Sequence, residues 1–289
     1  MSIVRTASLA LVAAMMFVVP AIPAPATDTA LTVTARLRKE QPVTVKERQP
    51  DGTTIEKKVP MTVMIEESRK LDPSKCAVVI CDMWDNHWCP SAARRCDVLA
   101  KQAAPVIAEI RNRGMTIVHC PSDCMGFYAD HAARKRTLAL PPAELPKLRD
   151  VSNPPLPIDD SDGGCDDLPQ PKTYRAWKRQ HAAIEIDAEK DFITDNGKDL
   201  FAVMKSKGLD TVIVMGVHTN MCVLNRSFAI KQLRKWDVPC YLVRDFTDAM
   251  YNPRMPPKVS HADGTHLVIE YIEKNWCPSI LSKDLIAGK

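Results

Sequence analysis

The sequence predicts an α/β fold: three layers, α/β/α, around a mostly parallel sheet, with an N-terminal antiparallel β appendage. Three observations carry this. From Cys76 onward, short β-type runs alternate with helical patterns of roughly ten or more residues. The first run, Cys76-Ala-Val-Val-Ile-Cys81, is continuously apolar, as a parallel strand covered on both faces requires. Before it, residues 31–67 show period-two runs around a Pro50-Asp51-Gly52 turn signal, the pattern of antiparallel hairpins.

The elements follow in order. Residues 1–26 combine Arg5, an apolar run from Ala7 to Val19 and a small-residue end at Ala24-Pro25-Ala26, which reads as a secretory signal peptide. The apolar run falls short of the roughly 20 residues of a spanning helix. The expectation is an exported chain, periplasmic or secreted, with no membrane contact after signal removal. Residues 27–70 form the β-rich appendage, with runs at Leu31–Ala35, Val43–Lys46, Thr53–Ile55 and Met61–Ile65. Residues 71–289 form the main domain. Its first helix spans Ser91–Arg113, with Ser91 as N-cap, a kink at Pro105 and a stop at Gly114. Strands follow at Met115–Cys120 and His181–Ile186, then a helix over Gly197–Lys207 closed by Gly208. The remaining elements are strand Thr211–Met215, helix Asn220–Trp236, strand Pro239–Val243 and helix Thr265–Asn275. Residues 121–180 are a Pro-rich insertion, the signature of a lid or interface element. Its acidic run, Asp159 to Asp167, reads as a solvated turn. In an EF-hand register Gly163 and Gln170 would occupy positions that need oxygen ligands.

Composition excludes several classes. Lys+Arg number 39 against 35 Asp+Glu, and the formal charge of +4 is spread without a basic stripe, so no nucleic acid is expected as partner. No Gly-x-Gly-x-x-Gly follows a strand and no Walker loop is present, so no cofactor is expected. A homo-oligomer is expected. Of the 10 cysteines, Cys76, Cys81, Cys120 and Cys240 lie in strands and read as buried thiols. Cys89, Cys96, Cys124, Cys165 and Cys277 are disulfide candidates for about two bridges, with pairing left open.

Ligands of such sheets bind beyond the carboxyl ends of the strands. The first apolar strand ends in Cys81-Asp82-Met83-Trp84, with His87 and Trp88 close behind. The later one ends in Met215-Gly216-Val217-His218-Thr219-Asn220-Met221-Cys222. Placed in the first turn of the following helix, the Cys222 thiol would feel the positive helix end, which lowers its pKa. Cys222 is the leading nucleophile; a buried structural thiol is the alternative.

These two strand ends resemble those of the isochorismatase-like cysteine hydrolase superfamily, which includes nicotinamidases and related amidases. The resemblance runs from about Lys75 to the C-terminus, interrupted by the Pro-rich segment. It implies Cys222 as nucleophile, Asp82 as base and a lysine completing the triad. It also implies a cis peptide at Val217–His218 and an oxyanion hole from the N–H groups of Thr219 or its neighbour and of Cys222. Lys190 is the candidate lysine, one position off the common family spacing, where Glu189 stands. Trp84, His87, Trp88, Tyr128, His218 and Asn220 are the candidate pocket residues. Nicotinamidases follow the second strand with an Asp-x-His metal pair, whereas this chain has Ser122-Asp123-Cys124-Met125. Methionine is a poor ligand for a hard or borderline dication, so no metal is expected. His131 is nearby in sequence, but one Asp and one His make a weak ligand set, and in His261-x-Asp263-x-x-His266 the aspartate reads as a helix cap. The expected function is an exported cysteine hydrolase that cleaves a carbon–nitrogen bond of a small amide through a thioester. The alternatives are isochorismatase-type vinyl-ether hydrolysis and a non-catalytic binding module on the same fold.

Overall fold

A computed structural model describes residues 30–287, so the expected signal peptide at 1–26 lies outside the described residues. The strands are β1 (Leu31–Arg48), β2 (Thr54–Leu71), β3 (Cys76–Cys81), β4 (Thr116–Cys120), β5 (Phe192–Ile193), β6 (Thr211–Val217), β7 (Cys240–Asp248) and β8 (Ser279–Ile280). The helices are α1 (Pro90–Asn112), α2 (Ala132–Leu138), α3 (Gly197–Lys207), α4 (Cys222–Asn225), α5 (Ile230–Lys235), α6 (His261–Asn275) and α7 (Ser282–Ile286). All eight strands form one sheet in the order β2-β1-β8-β7-β6-β3-β4-β5. β3 to β8 pair in parallel, while β1 is antiparallel to both β8 and β2. The predicted α/β/α architecture with an antiparallel N-terminal element is what the chain adopts.

Helices cover both faces. Val79, Val214 and Leu242 face a core layer with α3, α5 and α6, whereas Val78, Ile80, Ile213 and Met215 face α1 and α7. Every residue of β3 is buried, which explains its unbroken apolar sequence. From β3 the chain steps outward through β4 and β5, then returns to lay β6 on the other side of β3. The strand order therefore reverses between β3 and β6, and a crevice at their carboxyl ends is the position at which such sheets bind ligands. Gly216 permits the close approach there: it has φ 119°, and a Cβ would sit 2.0 Å from the Cys81 carbonyl oxygen.

Several expected elements differ. The four short N-terminal runs are two 18-residue strands in continuous register from Leu31↔Leu71 to Arg48↔Thr54. The N-cap of α1 is Cys89, not Ser91, whose N–H instead donates to Asp167 Oδ2 at 2.7 Å. No strand forms at 181–186; those residues turn, with the His181 N–H on the Met83 carbonyl at 2.7 Å, and the sheet edge is the two-residue β5. The helix expected over Asn220–Trp236 is split into α4 and α5, because Arg226 leaves helical conformation with φ −61° and ψ 153°. Helix α6 starts earlier than expected, and its cap is Ser260, whose Oγ accepts the Asp263 N–H at 3.1 Å while its hydroxyl donates to Asp263 Oδ2 at 2.6 Å.

The insertion is fastened down. Its acidic run is not a solvated turn: Asp160 accepts from Asn220, Asp162 from Asn252, and Asp166 pairs with Arg95. The disulfide Cys89–Cys165 ties the same segment to the start of α1. The other three disulfide candidates, Cys96, Cys124 and Cys277, are free and buried, so the described residues hold one bridge rather than two.

Candidate active site

Asp82 follows the last residue of β3 in a left-handed conformation, φ 47°, that an Asp tolerates better than most residues. Its side chain is fully buried. Oδ1 accepts the Ser122 N–H at 2.7 Å, and Oδ2 accepts from Arg226 Nε at 3.0 Å. The Cys222 thiol lies near enough to the same carboxylate and to the Arg226 guanidinium for the three groups to be coupled electrostatically. Arg226 lies one helical turn beyond Cys222, and the extended kink that ends α4 accompanies its reach to Asp82. Its Nη2 also lies 3.7 Å from Asp123 Oδ2.

The electrostatics follow from burial. Removal from water pushes the Asp82 carboxyl up, and Arg226, the nearby Cys222 thiol and Ser122 oppose this. Burial and the adjacent Asp82 charge push the Cys222 thiol well above the ordinary range, with Arg226 again opposing. The lowered thiol pKa expected from a helix N-terminus is absent: α4 is only four residues long and desolvation dominates. The thiol rests protonated beside an acceptor, with a cation touching both.

Val217–His218 is a cis peptide. The Thr219 N–H donates to the Asp248 carbonyl at 2.9 Å, so it does not face an oxyanion. The N–H groups of Met221 and Val223 both donate to the His218 carbonyl. That of Cys222 donates to no group among the described residues, which leaves it for a substrate oxygen.

An aromatic wall adjoins the thiol. Trp84 stacks on Trp177 with centroids 4.0 Å apart, and His87 stacks on Trp177 at 5.7 Å and meets the edge of His218 at 5.0 Å. Cys222 packs against the cluster that holds Trp84 and Tyr128. Trp88 belongs instead to a neighbouring cluster with Cys89, Cys165 and Met250. Burial holds His87 at about 4 and His218 at about 3, so both rings are neutral at neutral pH. Two buried ring nitrogens in this wall, His218 Nε2 and Trp177 Nε1, have no hydrogen-bond partner. Tyr128 accepts the Gln180 N–H through its hydroxyl at 2.9 Å. Asn220 uses its side-chain amide on Asp160 and both backbone groups of Met250, so it holds the loop rather than facing substrate. Beside Cys222 and Arg226 opens a cleft of about 580 Å³, walled by Pro154, Pro155 and Leu156 of the insertion and by Tyr271.

The structure does not bring Lys190 to this site. Asp187 accepts the N–H groups of Glu189 and Lys190 in a tight turn, and Lys190, 66% exposed, pairs with Asp187 at 3.7 Å. Glu189 is exposed as well. The cation beside the thiol and carboxylate is Arg226, which sequence reasoning missed because the resemblance directs attention to a lysine. Trp177 was missed too: the insertion around it has no periodicity to mark a buried face. A resident metal does not fit. Asp123 faces Arg226, His131 caps α2, and His261 binds Asp248 and the Tyr251 carbonyl, so neither candidate ligand set assembles. The grouping Cys89, Cys165 and Asp167 has both sulfurs in the disulfide.

Among solved structures, a cysteine hydrolase from Pseudomonas syringae pv. phaseolicola 1448A is 16% identical, with 75% of this chain and 92% of that chain covered and a TM-score of 0.47. An isochorismatase family protein from Burkholderia thailandensis is 15% identical over 75% of this chain and 98% of that one, with a TM-score of 0.42. An isochorismatase from Pseudomonas putida KT2440 is 14% identical over 75% and 92%, with a TM-score of 0.45. A comparison with curated protein sequences gives no match. The isochorismatase domain model matches residues 76–254, more than half of the 289 residues and the span that contains Asp82, Cys222 and Arg226; the chain belongs to the isochorismatase family of hydrolases.

Proposed function

We propose that the chain hydrolyses a carbon–nitrogen bond of a small amide through a thioester on Cys222. The observation that carries this reading is the grouping of Cys222 with the hydrogen-bonded Asp82–Arg226 pair at the point where the strand order reverses. Asp82, whose ionised form Arg226 favours, accepts the thiol proton as sulfur attacks the carbonyl carbon. The carbonyl electron pair moves onto oxygen, facing the Cys222 N–H. The tetrahedral adduct collapses, the carbon–nitrogen bond breaks, and the proton on Asp82 passes to the departing nitrogen. Water, giving a proton back to Asp82, then attacks the thioester and releases the carboxylic acid, and the thiol recovers its proton. The flat wall of Trp84, Trp177 and His87 suits a planar substrate, and the unpartnered nitrogens of His218 and Trp177 suit one with polar edges. Vinyl-ether hydrolysis needs acid catalysis by the aspartate and leaves no task for the thiol beside it.

Two observations support export: the signal-type residues 1–26 and the disulfide Cys89–Cys165, since such bonds persist in oxidising compartments. A mature N-terminus at Thr27 is the expected product, read by N-terminal sequencing; a retained Met1 contradicts it. The activity is tested by an ammonia-release screen over small amides and ureides, repeated with Cys222→Ala. Turnover that survives this substitution overturns the mechanism.

A further inference from the structure

The N-terminal hairpin extends well past the body of the sheet. β1 pairs with β8 at a single position, Arg36↔Ser279, while its pairing with β2 continues to Arg48↔Thr54. Residues 37–48 and 54–65 therefore form a ribbon whose strands pair only with each other. Such a ribbon is marginal in water unless one face is covered.

Its two faces differ sharply. Cross-strand partners share a face, and in this register even-numbered residues pair with even and odd with odd. The even face carries Arg36, Arg38, Glu40 and Thr62. It is bound to α6 by Arg36–Glu273 at 2.7 Å, Arg38–Glu270 at 2.5 Å, and Lys274 on Glu40 and Thr62. The odd face is mostly apolar: Leu37 pairs with Ile65, Val43 with Val59, and Val45, Ile55, Met61 and Val63 lie alongside, with Lys39, Gln41, Glu47 and Lys57 interspersed. Nearer the body the same face supplies Leu31, Val33, Ala35 and Leu71 to the core. Beyond Ala35 it continues without a cover, leaving Ile55 45% and Met61 46% exposed. The ion pairs fix the ribbon by its polar side and present its apolar side.

We propose that this apolar face is the contact between two copies of the chain, packed ribbon on ribbon about a two-fold axis that crosses the strands at Val43 and Val59. The sequence is self-complementary about that axis. The rotation lays each strand antiparallel over its own copy, so Val43 meets the partner's Val43 and Val59 the partner's Val59. Ile55 then faces the partner's Val63. Lys39, which lies 3.4 Å from Glu67 of its own chain, faces the partner's Glu47, and Glu47 forms no ion pair among the described residues. Charge or apolar character matches at four of the six facing position pairs of this register, while Gln41 falls over the partner's Val45 and Lys57 over the partner's Met61. At about 3.4 Å per residue and 4.8 Å per strand, the free face is roughly 40 Å by 10 Å. Two such faces with their side-chain relief bury on the order of 1,000 Å², at the low end for specific association, so the dimer forms with a Kd in the micromolar range rather than irreversibly.

Sedimentation equilibrium of the full chain from about 1 to 100 µM tests this. The wild type passes from monomer to dimer over that range. Val43→Glu with Val59→Glu is monomeric throughout, with the thermal unfolding of the body unchanged. Lys39→Glu weakens the dimer on the order of tenfold, and Lys39→Glu combined with Glu47→Lys restores it. The charge variants alone decide the matter if the valine pair fails to fold. A wild type that stays monomeric at the highest concentration overturns the proposal. So does a dimer indifferent to the valine substitutions, or a charge reversal that the second reversal does not rescue.

Discussion

Arg226→Ala is the substitution that most sharply tests how the thiol is activated. It removes the cation from Asp82, whose carboxylate is fully buried and otherwise holds only the Ser122 N–H and the thiol. At 3.0 Å and an effective dielectric of about 20, Coulomb's law gives the pair roughly 5 kcal/mol. Arg226 is 33% exposed, and solvent screening reduces this to about 2–3 kcal/mol. Without that opposing charge the Asp82 carboxyl, already raised by burial, moves up further. Asp82 accepts a proton only when ionised, so activity is lost as pH falls through its pKa. The acid limb of kcat/KM therefore shifts upward, and Arg226→Lys moves it less. The thiol loses the same support, so alkylation of Cys222 by iodoacetamide at about pH 8, read by peptide mass spectrometry, slows roughly 10- to 100-fold. Thermal unfolding establishes that the variant is folded. An acid limb and an alkylation rate both unmoved by Arg226→Ala refute the reasoning.

Three further outcomes follow from the geometry. Lys190→Ala leaves kcat/KM within about twofold of wild type, because its ammonium faces solvent and Asp187; a loss comparable to that of Arg226→Ala contradicts the assignment. Gly216→Ala drives a Cβ to 2.0 Å from the Cys81 carbonyl oxygen and costs on the order of 3 kcal/mol or more in urea unfolding, while an unchanged midpoint shows that the strands can part at no cost. Cys165→Ser opens a loop with a sequence separation of 76 and lowers stability by about 2–4 kcal/mol; dithiothreitol lowers the wild-type Tm and leaves that of the variant unmoved.

Much of this was legible in the sequence where the signal is periodic. The unbroken apolar β3, the helix pattern of α3 closed by Gly208 and the Pro50-Asp51-Gly52 hairpin turn all follow from local rules. The strand ends that carry Asp82 and Cys222 were legible because strand-end chemistry in such sheets is positional. What misled was local pattern overruled by distant partners. His181-Ala-Ala-Ile-Glu-Ile186 alternates like a strand, yet His181 is held in a turn by Met83 and Asp97, and the lysine expected after that strand has no strand to follow. Asn220–Trp236 has a helix's composition, but Arg226 leaves the helix where it meets Asp82, a contact 144 residues apart in sequence. The acidic run looks solvated because its partners, Arg95, Asn220 and Asn252, come from three distant segments.

The central claim is that Cys222 carries the acyl group. Once the screen supplies a responsive amide, its turnover can be quenched in acid and the Cys222 peptide weighed. The account predicts added mass equal to the acyl portion of the substrate, removed by hydroxylamine and missing in Cys222→Ala together with activity. An unmodified Cys222 during rapid turnover, with Cys222→Ala as active as wild type, contradicts it.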